Sequence, residues 1–440
     1  MSPFARAVLR GLVPVLLPLL AWSCAPPSPP AEAPAAASSA PPAARAAFAK
    51  CRRMQPQPKQ GCYEEALAGV LAGQGVREAM RTLDGLVELD ADVRRDSHVY
   101  AHGVGIGAYA GAAEVGRTFA QCTPEHQSGC YHGVIQAYFV EARQGGGGID
   151  SATVNALCAA YEGAAGSRWL EFQCAHGMGH GLVMFHGHDL PVALKGCDLL
   201  GSAFQRETCY QGAFMENVVN ALAPHHPAST LARGEGGAPA GHDHAAPPAA
   251  SGHDHHAAAG GHAAPAPAFK ALDRDDLLYP CSAMEARYLS ACYSMQTSVA
   301  LHFTGQDVGA VARVCQTVPE PWRPTCFISL GRDVSGMTLR DRARARERCS
   351  VVQDPASRAL CHVGVATNML HVTARAEDGM AYCRELSGDG EKIPCYRSIG
   401  GQLLVLAATE AAREEGCASA EAAYVETCRL GAQLKSRSGA

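Results

Sequence analysis

The chain has 440 residues, with 47% hydrophobic residues and a formal net charge of −5, so it has ample material for a core. No basic block with interleaved aromatics occurs, which excludes nucleic acid as its main partner. The 19 cysteines carry the organisation of the rest.

The chain opens with Arg6 and Arg10, an apolar stretch over Gly11–Ala21 broken by Pro14 and Pro18, and the run Ala21-Trp22-Ser23-Cys24. A short apolar run behind positive charge and ending in small residues reads as an export signal rather than a spanning helix. Cys24 resembles the lipidated cysteine of a bacterial lipobox, although Trp22 departs from the small residue usual there. The expectation is an exported bacterial lipoprotein facing the periplasm or outer membrane, with residues 1–24 as signal and a membrane partner through the lipid. Residues 25–47, almost wholly Ala, Pro and Ser, read as a tether.

From Cys51 a repeat begins. Cys51 is followed by Cys62, Cys122 by Cys130, Cys158 by Cys174, and Cys197 by Cys209. Then come Cys281 with Cys292, Cys315 with Cys326, Cys349 with Cys361, Cys383 with Cys395, and Cys417 with Cys428. The first members of these last five pairs fall every 34 residues. A fixed period of this size marks units that bury their apolar faces only by stacking. An even set of 18 cysteines after Cys24, in an exported chain without Cys-x-x-Cys, implies disulfides, paired locally because the spacing recurs as a unit. The second repeat lacks its pair; equal 34-residue steps place its anchor at Asp96, with Gly85 in the partner position.

Within a unit, Val308, Val311 and Val314 share one helical face, Pro319, Pro321 and Pro324 interrupt, and Phe327, Leu330, Val334 and Met337 resume a helical period. Thr304 and Asp307 are candidate N-caps. The reading is an all-α solenoid of about ten disulfide-stapled helical hairpins. An N-terminal block spans residues 48–222 and a C-terminal block spans 269–440. Between them, residues 223–268 are rich in Ala, Gly, Pro and His, including His242, His244, His253, His255 and His256. That composition reads as a disordered linker able to gather metal weakly.

In architecture this pattern resembles the Sel1-like and tetratricopeptide-type helical repeats. The resemblance covers residues 51–440 and implies a helical fold with a binding surface. The tetratricopeptide signature residues are absent, so no functional residue carries over.

Two residues past each second cysteine, and again four later, a second pattern emerges. With Asp96 as anchor these positions are His98 and His102, then His132 and Gln136, His176 and His180, and Gln211 and Met215 with Glu216 alongside. Residues four apart lie one above the other on a helix, the spacing at which two imidazoles share a metal. Glycines 103, 133, 177, 179 and 181 suit close backbone approach. In a flat array the two outer pairs would lie roughly 16–20 Å apart, so curvature would have to bring them together.

Imidazole-rich ligation points to Cu, Zn, Ni or Fe. His98, His102, His132, His176 and His180 are the expected ligands, and Gln136, Gln211 and Glu216 the accessory candidates. The expected role is metal handling outside the cytoplasm, with an envelope protein as a further partner. A metal-dependent hydrolase or oxidase with Glu216 as acid/base is the alternative, and a metal-free peptide-binding scaffold the third reading. The glycines of Gly103–Gly107 follow no strand and so make no dinucleotide site. The Arg340–Arg348 run reads as a solvated face.

Overall fold

The computed structural model describes residues 39–162, 167–222 and 269–435. The expected export signal, Cys24, most of the expected tether and the whole His-rich segment 223–268 therefore lie outside the described residues. The described residues from Ala40 onward form one compact unit. Among the described residues there is no strand, and no helix is long and apolar enough to cross a membrane.

Each repeat is a helical hairpin. The first helix ends near the first cysteine, as in Pro42–Cys51, Ser151–Cys158 and Arg342–Cys349. We number the second helices α1 (Pro56–Gln74), α2 (Ser97–Ala108), α3 (Gly129–Gln144), α4 (Arg168–Phe185) and α5 (Ala203–Leu222). The second block continues with α6 (Gln296–Phe303), α7 (Arg323–Met337), α8 (Pro355–Thr373), α9 (Asp389–Leu406) and α10 (Val425–Gly431).

The starts are local. Asp150, Asp189, Asp307 and Asp354 accept a bond from a backbone N–H three residues on, satisfying a donor the helix leaves orphaned. Thr304 instead ends α6, its hydroxyl bonding back to the carbonyl of Ala300 at 2.8 Å. The supposed tether is shorter than composition suggested: Pro42–Cys51 is helical, with Ala44 and Ala47 buried. Proline at the first helical position and alanine behind it favour that helix once a neighbour covers one face.

All eighteen cysteines from Cys51 onward pair within their own repeats, Cα–Cα 5.5–5.8 Å. In the first block Cys51 bonds Cys62, Cys122 bonds Cys130, Cys158 bonds Cys174, and Cys197 bonds Cys209. In the second, Cys281 bonds Cys292, Cys315 bonds Cys326, Cys349 bonds Cys361, Cys383 bonds Cys395, and Cys417 bonds Cys428. Most staples tie the end of the first helix to the first turns of the second; Cys281–Cys292 instead joins two short helical turns ahead of α6. A loop of 11 residues, as between Cys315 and Cys326, corresponds to about 3 kcal/mol on the chain-entropy view.

Second helices pack side by side, and at alternate joints they meet backbone to backbone. A Cβ at Gly105 would lie 2.0 Å from the Cys130 carbonyl oxygen, and one at Gly133 only 2.2 Å from that of His102. The reciprocal contact recurs between α4 and α5, α7 and α8, and α9 and α10, where the carbonyls of His176, Ile328 and Arg397 take the place of His102.

That equivalence corrects the register of the second repeat. His176, Ile328 and Arg397 each stand two past a cysteine, so His102 does too, and Tyr100 occupies the cysteine position instead of Asp96. The run Tyr100-Ala-His102-Gly103 matches Cys130-Tyr-His132-Gly133 and Cys174-Ala-His176-Gly177. Gly103 meets nothing within 4 Å; Gly105 makes the close approach in its place.

The array coils. Helix α4 packs on α9, and the turn His126–Ser128 packs on α8. Repeats five apart are thus in contact, and the two blocks pack against each other.

Candidate metal centre

Helices α2, α3 and α4 bring the five histidines into one cluster. One ring nitrogen from each of His98, His102 and His132 lies within 4.8 Å of the others, and the same holds for His132, His176 and His180. The outer pairs are not separated as a flat array would have them: the His102 and His180 ring centroids are 5.0 Å apart. Glycine-mediated approach of α2 to α3 and curvature of the array close the gap. His132, on the middle helix, belongs to both triads.

Outer partners orient the rings. His98 Nδ1 donates to the backbone carbonyl of His126 at 2.9 Å, and His180 Nδ1 donates to Glu216 Oε2 at 2.9 Å. A carbonyl and a carboxylate only accept, so in both rings Nδ1 carries a proton, which in the neutral imidazole leaves the lone pair on Nε2. His102 Nδ1 donates to Gln136 Oε1 at 3.3 Å, and His132 Nε2 to Gln173 Oε1 at 2.8 Å. His176 bonds the backbone of Thr208. Histidine ligands of metals characteristically have such partners on the second nitrogen, which hold the ring and raise its basicity. With Nε2 donating, His132 offers one lone pair, at Nδ1, so the two overlapping triads could not both use it at once.

The electrostatics favour ligation. Burial, and after it the neighbouring rings, hold His132 and His176 well below the usual histidine range, so both are neutral at pH 7 and keep a lone pair to donate. The Nδ1 atoms of His132 and His176 are buried without a hydrogen-bond partner, which costs free energy unless something ligates them.

The acceptor for His98 sits on an unusual turn. His126, Gln127 and Ser128 all have positive φ, at 56°, 54° and 61°, a conformation that costs non-glycine residues roughly 1–2 kcal/mol each. The turn is held by His126 Nε2 on Asp84 Oδ1 at 2.8 Å and by packing on α8. It fixes the His126 carbonyl above His98.

Of the accessory candidates, Gln136 and Glu216 sit outside the cluster, bonded to the ring nitrogens away from it, and Gln211 lines a neighbouring cavity. Gln173, the Thr208 backbone and the His126 carbonyl carried no pattern in the sequence, although Gln173 directly precedes Cys174. His186 and His188 lie at the end of α4 and beyond it, away from the cluster.

A cavity of about 440 Å³ adjoins the centre, with His132 and His176 in its wall. Its lining includes Gln211, Ser294, Ile328 and Val363, each two residues past a second cysteine. The histidine register is thus the cavity-facing register of the middle repeats, and the last two repeats, with exposed Arg397 and Leu430 there, depart from it. His371, from α8, also lines this space; its position ten residues past Cys361 gave no sign of that.

No protein-family model, no curated protein and no solved structure matches this chain.

Proposed function

We propose that this chain is an exported protein that binds a transition metal through His98, His102, His132, His176 and His180 and serves metal handling outside the cytoplasm. The observation that carries the reading is the convergence of five histidines from three repeats into two triads that share His132, each with ring nitrogens within 4.8 Å, and with other ring nitrogens held by partners from neighbouring segments. Ligation by imidazole without thiolate suits Cu, Zn, Ni or Fe. Nine disulfides fit an oxidising compartment, and lipidation at Cys24 would hold the protein at a bacterial envelope membrane beside a partner protein. The His-rich linker would supply metal to the centre.

The test compares metal content of the full chain with that of a His102→Ala/His180→Ala variant after dialysis against copper, zinc, nickel or iron. Both carry the linker, so their difference reports the cluster alone. The variant should lose the tightly held metal, and His302→Ala, outside the cluster, should keep it. Equal content in wild type and double variant would refute the proposal. A second reading, a metal-dependent enzyme, draws on the cavity beside His132 and His176.

A further inference from the structure

The cavity is walled by both blocks, and its lining has a definite chemistry. The charged residue in it is Arg332, whose guanidinium lies 2.6 Å from Asp333 Oδ1 and donates to the Ser294 carbonyl at 2.6 Å. Its charge is therefore matched within the protein. A charged guest would lose its hydration and meet no countercharge, a cost of several kcal/mol.

The remaining polar side chains carry no formal charge: they include hydroxyls such as Ser398 and Thr325, the imidazoles of His132 and His176, and, in the far wall, the amides of Asn368 and Gln402 with the imidazole of His371. His371 Nε2 donates to Gln402 Oε1 at 2.8 Å. That leaves the Gln402 NH₂ as donor and His371 Nδ1 as acceptor. One wall is aromatic: the Trp169 and Phe172 rings lie 13° from parallel, and Phe172 stacks on His176 at 5.6 Å and 19°. Stacked rings with convergent amides favour a planar guest. The volume falls within the range of small-molecule sites. The unpartnered, buried Nδ1 atoms of His132 and His176 belong to side chains in this same wall.

We propose that the cavity binds an uncharged, planar organic molecule carrying both hydrogen-bond donors and acceptors, and presents it to the metal centre at the His132/His176 wall. The second clause rests on the metal reading; the first does not. A metal held by these two rings would lie at the cavity wall, within reach of a guest packed against this aromatic row. The amides of α8 and α9, supplied by the opposite block, would grip the guest's far edge, so binding would require both blocks.

The test uses the full chain in calorimetric titrations at pH 8, metal-free and loaded with Cu(II). The probes are benzimidazole, which is planar and uncharged, and benzoate, which is planar and anionic. Benzimidazole should bind saturably to the metal-free protein and, in the loaded protein, also shift the visible copper absorption. Benzoate should bind at least about tenfold more weakly, the equivalent of about 1.4 kcal/mol.

Trp169→Ala and Gln402→Leu, on helices from opposite blocks, should each weaken benzimidazole by about tenfold or more. Far-UV circular dichroism would confirm that each variant is folded, and His302→Ala should leave binding unchanged. Equal affinity for the two probes, or benzimidazole affinity untouched by both variants, would overturn the proposal. Benzimidazole binding without copper uptake would uphold the cavity and sink the metal reading. Copper uptake with no benzimidazole response would do the reverse.

Discussion

Gly133→Ala tests whether the histidine cluster depends on backbone contact between α2 and α3. The added methyl would sit 2.2 Å from the His102 carbonyl oxygen and 2.9 Å from the Ile106 nitrogen. These are main-chain atoms and cannot rotate aside, so the helices must part by about 1 Å to reach a normal contact. Overpacking of this kind costs about 1–3 kcal/mol, and the upper end applies where backbone must move. Alanine regains about 1 kcal/mol of helix propensity over glycine, leaving roughly 2 kcal/mol of net destabilisation.

The same displacement moves His102 away from His132. Metal–ligand distances tolerate only about 0.2 Å, so affinity should fall by at least the 10–100-fold typical of a lost outer partner. Gly364→Ala is the matched control: its methyl would lie 2.0 Å from the Ile328 carbonyl oxygen, in α7 and α8, with no ligand on either helix. Urea unfolding should show similar losses for both variants, and metal titration should show a loss for Gly133→Ala alone. Unchanged stability in Gly133→Ala would refute the backbone contact. Equal loss of affinity in both variants would mean that general loosening, rather than cluster geometry, controls binding.

Glu216→Gln should leave the fold intact and weaken metal binding about 10–100-fold, because an amide supports His180 Nδ1–H less strongly than a carboxylate at 2.9 Å; unaltered affinity on titration would remove Glu216 from the centre's support. The metal-free protein should lose stability as pH falls below about 6.5. His132 and His176 stay neutral in the fold well below that value while the unfolded chain takes up protons, so acid favours unfolding and the contribution is fully present above 6.5. Urea midpoints between pH 8 and 5 should show this slope, and a His132→Asn/His176→Asn variant should flatten it; an identical slope would place the pH dependence elsewhere.

Much of the fold was legible because it is written locally. Cysteines recurring in close pairs at a regular interval point to short loops within each hairpin, and an aspartate such as Asp307 or Asp354 caps the helix that begins just after it. The histidines stood out because positions four apart must share a helical face. The second repeat was misread by one helical turn, since without its cysteines equal spacing was the sole guide; the His-Gly step shared by residues 102–103, 132–133 and 176–177 carried the truer register.

The tertiary structure alone decided everything that depends on distance between repeats. No local rule states that α2 and α4 come close enough for His102 and His180 to meet, because that depends on how far glycine lets each helix sink against the next. Gln173, Glu216 and the His126 carbonyl acquire their roles by lying across a helix joint from the rings they hold. The cavity, with His371 facing His176, exists because the coil returns on itself after five repeats, and the pitch of that coil is the sum of many small packing angles that no single residue encodes.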